Sequence, residues 1–438
     1  MKNRKTAISV LRFASAAFAA FFLFCSCSGS SKKQEAQTTD NTDRGTYTEE
    51  NQMSDEACVS YIASTVKELK KIVPKENSAI VMLEGYYSVN DGGGGMFYWD
   101  SSDESESNDG TVIAPDGFDP KSGRYKRIYE PQHINVKWFG AKGDGSHDDT
   151  RAIQAAIDAL PASGGEVILP GGKYIITDTL NVGDGDGSRS STKNGIKLIG
   201  MGGQFGHGTL AETTIQCGGD VDVMISFNGP ILDCGLESLK LNANNRADTA
   251  VVFTAMSESY VDRVQAICFN KTGIILQAGT GENGDSRDNL FRQFGSITNV
   301  NNTVMILIDG DIESGAIVRD SVFTACRFDT GQQENSVAVH MKYAKQLTFQ
   351  RCHFNVYKFD TSLGLLLDGA ENNGYPNKNS YYDCSVTRMA VKESENGKIG
   401  YNFLLGHGSG DYELVAEHPK VFGLLDFGGI IRYDEQTN

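Results

Sequence analysis

Residues 138–160 read WFGAKGDGSHDDTRAIQAAIDAL, and residues 164–177 continue GGEVILPGGKYIIT. Gly143-Asp144-Gly145 is a turn. The Asp148-Asp149-Thr150 group supplies side-chain oxygens suited to a helix N-terminus. Ile153, Ala156, Ile157 and Leu160 then recur at helical spacing and predict one apolar face. Gly164-Gly165 ends that helix, and Pro170-Gly171-Gly172 separates two short β-rich runs, Glu166–Leu169 and Lys173–Thr177.

Downstream of residue 230 one local phrase returns. Apolar residues three apart, the second sometimes cysteine, occur at Leu236/Leu239, Val261/Val264, Phe291/Phe294, Phe323/Cys326, Phe349/Cys352 and Tyr381/Cys384. A second β-rich run follows most of them, at Val251, Ile274, Met305, Val337 and Leu365. Two or more strands per repeat, with turns of Gly, Asn and Asp, predict a parallel β-helix whose coils bury their inward side chains against one another. Cys326, Cys352 and Cys384 are then expected to stack inside as small hydrophobes. The fold class expected is all-β: a right-handed parallel β-helix with an N-terminal capping helix and a small α+β module before it.

Upstream, Val59, Ile62, Ala63, Val66, Leu69 and Ile72 share helical spacing, and Pro74 stops the helix they predict. Residues 85–100, GYYSVNDGGGGMFYWD, place four glycines between aromatic runs and predict a hairpin-like unit. Residues 28–52 are polar, with almost no large apolar side chains, and read as a tether. Ahead of them, Lys2, Arg4 and Lys5 precede an apolar stretch, Phe13–Phe24, too short to span a bilayer as a helix. Ser26-Cys27 is similar to a bacterial lipobox, with Phe24 where leucine is usual, so Cys27 is the expected lipidation site. The expected organisation is a lipoprotein-type signal peptide (1–27), tether (28–52), small module (53–132) and β-helix domain (133–438), held at the bacterial cell envelope, periplasmic or at the surface, by an N-terminal membrane anchor.

The chain has 438 residues, a formal net charge of −16 and a pI near 4.9, which argues against nucleic acid as a partner. Removing residues 1–26 takes four positive charges and leaves −20. The remaining cysteines outside the signal are odd in number and widely spaced, unlike a disulfide framework, and no CxxC pair suggests zinc. The histidines show no metal-ligand spacing. Val182–Ser188 superficially has the form of a calcium loop, but Gly195 stands where the bidentate acid belongs, so no cofactor is expected and calcium is unsupported.

The 138–177 stretch resembles the opening of the pectate lyase-like superfamily, within its rhamnogalacturonase/epimerase-like branch, which includes phage tailspikes. Residues 85–100 resemble the short module that often precedes that domain. The resemblance implies a right-handed β-helix that acts on or binds polysaccharide. It carries over no catalytic set, since the Asn-x-Asp, Asp-Asp and Gly-His elements of the polygalacturonase branch are not reproduced. The Asp148/Asp149 pair is read as structural because an acidic helix cap satisfies orphan amides.

Chemistry is therefore sought on the coils. Glycoside hydrolysis needs two carboxyl groups flanking the bond. Lyase action on uronates needs a base and a charge that neutralises the sugar carboxylate. Alternate residues of a strand face outward, and aligning the second runs places Gln277, Asp309, Lys342 and Asp368 in one outward column. Loops after these runs are expected to bring Glu282, Asp285, Arg287, Asp311, Glu313 and Glu371 to the same edge. His340 shares the outward face of Lys342. A second outward set holds Arg327 and Asp329 beside His353 and Asn355, and Tyr343, Tyr357 or Tyr375 is suited to a sugar. The catalytic candidates are Asp309, Asp368, Lys342, Asp311 and His353, in a hydrolase or a lyase. The alternative is a glycan-binding or surface-structural protein without turnover.

Overall fold

The interval between like residues along the chain becomes the interval between stacked coils. Leu236 pairs in parallel with Val261, Val261 with Phe291, Phe291 with Phe323, Phe323 with Phe349 and Phe349 with Tyr381. The second runs stack likewise: Val251 on Ile274, Ile306, Val339 and Leu365 in succession. The result is a parallel β-helix built from a 17-stranded and a 13-stranded sheet. The computed structural model describes residues 60–117, 123–183, 185, 194–202, 212–280, 283–358, 360–369, 376–393, 403–405, 412–416 and 431–433. The signal, Cys27 and the tether lie outside them, as do most of the Val182–Ser188 loop, Glu282, Glu371 and Tyr375.

Inside the coils, side chains stack with their own kind. The rings of Phe291, Phe323 and Phe349 lie 4.5 Å apart and nearly parallel, and Tyr381 continues the column at 5.1 Å. Cys326, Cys352 and Cys384 form the neighbouring column, buried and as free thiols. Each thiol donates to a backbone carbonyl, Cys352 to Phe323 and Cys384 to Phe349. The neighbouring Cys352 thiol, and then burial, push the Cys384 thiol far up, so it stays protonated and inert.

The corners depart from expectation. The turn before Phe294 and before each inward cysteine is made by one left-handed residue, at Gln293, Ala325, Arg351 and Asp383, with φ of 48°, 53°, 52° and 54°. Three of these are not turn formers. The coil on either side fixes the conformation, so packing overrides local preference.

The helix expected from residue 150 runs Thr150–Asp158 and buries Ile153, Ala156 and Ile157, with Leu160 just beyond it, in the same core as the first coil. Asp148 and Asp149 divide the capping work. Asp148 accepts from the backbone N–H of Thr150 at 3.0 Å and from the Thr177 hydroxyl at 2.6 Å. Asp149, at the cap position, makes no cap bond. Its buried carboxylate accepts from the N–H groups of Lys142 (2.7 Å) and Gly143 (3.0 Å), holding the turn that leads into the helix.

Before the solenoid stands a five-stranded sheet in the order Ser60–Ala63, Ile80–Leu83, Gly95–Asp100, Arg124–Arg127, Val112–Ile113. Leu69, Val81, Phe97, Trp99 and Tyr125 form its core. Helical spacing over 59–72 misleads here: Ser60–Ala63 is a strand paired with Ile80–Leu83, and only Val66–Leu69 is helical. Tyr61 and Ile62 favour a strand, and Thr65 caps the short helix by accepting from the N–H of Glu68. The hairpin expected from residues 85–100 forms between Ile80–Leu83 and Gly95–Asp100. Its glycines end a wide loop, 84–94, in place of a tight turn. Arg127 ties the module to the solenoid: its guanidinium lies 4.5 Å over Phe97 and 4.6 Å over Trp138 and donates to Gly93 and Gly94.

Candidate functional site

On the 13-stranded sheet, the strands Ala247–Ser257, Thr272–Gln277, Val304–Asp309, Val337–Met341, Leu363–Gly369 and Met389–Glu393 lie side by side. Thr254 pairs with Gln277, Gln277 with Asp309, and Asp368 with Lys392. Lys342 follows directly after Met341, which pairs with Ile308 on one side and Leu367 on the other. The outward column expected at Gln277, Asp309, Lys342 and Asp368 is therefore in register.

The column divides into unlike parts. Gln277 donates to the Thr254 hydroxyl at 3.0 Å and belongs to a neutral stretch. Lys342 Nζ lies 3.2 Å from Asp309 Oδ2. One coil on, Asp368 reaches diagonally to His340, Oδ2 to Nε2, at 3.1 Å. His340 and Lys342 sit two residues apart, on either side of Met341 at the strand's end, and so project from the same face. Four groups from three coils thus converge: two carboxylates, an ammonium and an imidazole. His340 and Asp368 each keep 17% of the side chain exposed, and Asp309 keeps 25%. Burial raises the Asp309 carboxyl above its ordinary value, while the charges of Lys342 and His340 pull it back down. Neighbouring strands lie about 4.8 Å apart, so Asp309 and Asp368, two coils apart, are separated by roughly 10 Å along the axis.

The other candidates lie elsewhere. Asp311 closes its own turn: its N–H donates to Ala316, and its carboxylate accepts from the Ser314 hydroxyl and the Glu313 N–H. Those bonds hold its carboxyl below the usual range. His353 sits on Phe354's strand in the 17-stranded sheet, paired with Arg327 and Ser385, so the coil's corner separates it from the Asp309 group. Beside it, Asp329 is buried and fully engaged, by Arg327 at 3.0 Å, the Gly331 N–H at 2.9 Å and Tyr357 at 3.5 Å. Asp285 is held by Arg319 at 2.8 Å and the Ile317 N–H at 2.9 Å. His340 joins the site although column alignment alone does not select it. The signal was the His-x-Lys spacing of an outward-facing strand.

Among the described residues no three His, Cys, Asp or Glu side chains converge as a metal site, and no helix is long and apolar enough to cross a membrane.

Residues 133–386 match the family model described as rhamnogalacturonase A/epimerase, pectate lyase-like, and residues 62–130 match the phage tail protein small four-stranded beta-sheet domain. The chain is 46% identical over 90 residues to mannuronan C5-epimerase AlgE1 of Azotobacter vinelandii, a match covering 20% of this chain and 6% of that protein. It is 24% identical over 299 residues to the capsule KN3-specific depolymerase 1 of Klebsiella phage KN3-1, covering 58% of this chain and 36% of that one. The chain thus spans well under two thirds of either relative. Among solved structures, tailspike protein gp49 of the Acinetobacter baumannii bacteriophage Fri1, a capsular polysaccharide depolymerase, superposes with a TM-score of 0.56 at 13% identity, over 85% of this chain and 70% of that one. That likeness bears on the fold.

Proposed function

This chain belongs to the rhamnogalacturonase A/epimerase, pectate lyase-like family, and from that premise we propose that it is a carbohydrate-active enzyme that moves a proton at a sugar carbon next to a carboxylate, as a lyase or an epimerase of an acidic polysaccharide. The observation that carries this reading is the His340–Asp368 pair beside the Asp309–Lys342 pair on one outward face. An imidazole oriented by a carboxylate is a general base. Lys342 supplies positive charge for the sugar carboxylate as charge builds on it. The Asp309–Lys342 pair stands nearest as the source of the proton for the departing oxygen.

In this reading His340 takes the proton from C5 through Nδ1, the ring nitrogen opposite the one that Asp368 holds, and the electron pair is delocalised into the sugar carboxylate. Elimination then breaks the C4–O bond, the departing oxygen takes a proton, and a C4–C5 double bond remains. Epimerisation instead returns a proton to C5 from the opposite side. The names of the relatives, an epimerase and a capsule depolymerase, support polysaccharide as the substrate class. A second reading, inverting hydrolysis, has one observation in its favour. The roughly 10 Å between Asp309 and Asp368 lies near the upper end of the separation that leaves room for a water.

A panel of acidic and neutral polysaccharides separates these readings. Ultraviolet-absorbing unsaturated ends, or a changed C5 configuration by NMR, are expected on an acidic member. Reducing ends without unsaturation would favour hydrolysis, and binding without turnover would favour the non-catalytic alternative. Placement belongs to the same proposal: an N-terminal signal, lipid attachment at Cys27, the tether 28–52 and the module 53–132 hold the solenoid 133–438 at the bacterial envelope. Palmitate labelling lost in Cys27→Ser is the expected result.

A further inference from the structure

Two adjacent aromatics, Tyr86 and Tyr87, project from the loop 84–94. That loop is made rigid by one side chain: the Asp91 carboxylate accepts from the N–H groups of Tyr86 (2.9 Å), Tyr87 (2.7 Å), Ser88 (3.0 Å) and Gly93 (2.9 Å). It rests against the turn that leads into the capping helix. The Tyr87 hydroxyl donates to Gly140 at 3.1 Å, and a Cβ on Gly140 would come within 2.8 Å of the Tyr86 ring. Module and helix enclose a cleft of about 600 Å³, lined by Tyr86, Tyr87, Phe139, His147 and Arg151 among others.

The polar atoms of this cleft fall into two groups. Several acceptors are already engaged: Asp109 by Lys70 at 2.7 Å, Asp148 by Thr150 and Thr177, and the Gln154 amide by the Asn181 backbone. Among the described residues, the Arg151 guanidinium, the His147 ring and the Tyr86 hydroxyl make no hydrogen bond or ion pair. Burial pushes the Tyr86 phenol up to about 12, so it keeps its proton and donates. The third lining carboxylate, Asp158, accepts from the Gln154 amide at 2.9 Å, so what the cleft offers a ligand is the Arg151, His147 and Tyr86 donors around aromatic rings, beside carboxylates already engaged, in a volume typical of small-molecule sites and far larger than a bare anion needs. Arg151 is the planar, permanently charged group that holds a carboxylate through two bonds.

We propose that this cleft is a second glycan site, which binds one carboxylate-bearing sugar with Arg151 on the carboxylate, Tyr86 and His147 on ring or hydroxyl oxygens, and the tyrosine pair against the sugar's apolar face. The proposal extends the glycan reading above but does not need turnover. Following the pairs from His133, on the coil that carries the cleft, through Glu166, Lys197, Gly235, Tyr260 and Leu290 to Val322 takes six steps, so the cleft and the His340 group lie about 29 Å apart along the axis. A polymer of several sugars is long enough to span that distance.

The test is titration calorimetry on the full chain with tetrasaccharides of mannuronate, guluronate, galacturonate and glucuronate, a neutral glucan tetrasaccharide, and acetate. At least one oligouronate is expected to bind. Arg151→Ala should weaken that binding by about tenfold or more, and Tyr86→Phe by about threefold to tenfold. Asp368→Asn should leave this component in place. Arg151 is exposed on its helix, and Tyr86→Phe removes one oxygen, so the fold persists in both variants. For a long acidic polymer, Arg151→Ala raises KM without lowering kcat. Three results would overturn the proposal: no oligouronate binds, Arg151→Ala binds as tightly as the parent, or neutral glucan or acetate binds equally well. If the Arg151-dependent component appears but no polymer is turned over, the catalytic reading fails and this site stands.

Discussion

Two flanks of the solenoid carry ion pairs across their coils, and they use them differently. On the 17-stranded sheet, Asp262 is buried and accepts from Arg292 Nε at 2.8 Å and Nη2 at 2.7 Å, with Arg263 at 3.2 Å. Arg263 in turn pairs with Glu237, which also accepts from Tyr260. Planar guanidinium forks meet carboxylates, a geometry suited to holding coils together. On the 13-stranded sheet the partners are an ammonium and an imidazole, each joined to its carboxylate through a single atom pair and partly exposed. The first flank is a clamp between coils. The second keeps groups that gain and lose protons beside an open face. A polar ladder on a solenoid thus points to chemistry through the kinds of its charges more than through their number.

The sharpest break between the flanks is in turnover. His340→Gln and Asp368→Asn are expected to lower the rate on the acidic polysaccharide by roughly 10²–10⁴-fold, the usual weight of a general base. Thermal unfolding should shift by no more than a few degrees. Asp262→Asn is expected to do the reverse, costing about 2 kcal/mol in denaturant unfolding as charged hydrogen bonds are lost, with turnover kept. Equal effects of both changes on rate and stability would erase the distinction.

A smaller effect concerns Asp309. Its carboxyl is raised by burial and lowered by Lys342. Removing the lysine's charge in Lys342→Ala therefore moves the Asp309 titration further up in pH, and carboxyl ¹³C NMR reads the shift directly. A downward shift would mean that Lys342 does not face Asp309. The smallest effect is at a corner. Ala325 holds φ of 53°, a conformation that costs a non-glycine residue about 1–2 kcal/mol. Ala325→Gly should stabilise by up to about 1 kcal/mol, with turnover unchanged.

The coils were legible because one interval recurs. Phe291, Phe323, Phe349 and Tyr381 announce their stack in the sequence, and the inward cysteines follow three residues later. The corners were not legible: Gln293, Ala325 and Arg351 carry no turn signal and take their conformation from the packed coil. The same limit applies to the site. A column alignment finds Asp309, Lys342 and Asp368, but Asp368 reaches diagonally to His340, a contact that depends on side-chain reach across coils. Asp311 comes from a loop expected at the same edge, and His353 from the second outward set. A closed turn takes up the first, and a corner carries the second to the other sheet. At the N-terminus, Tyr61 and Ile62 fit a helical or a strand period equally over so short a run, and pairing with Val81 and Met82 decides for the strand.

Release of C5-bound deuterium to water from a C5-deuterated polyuronate tests the central claim most directly, since elimination and epimerisation both begin with that proton. The account predicts release by the parent protein and a loss of at least a hundredfold in His340→Gln. Cleavage of the polymer with the deuterium retained, or release undiminished by the substitution, would contradict it.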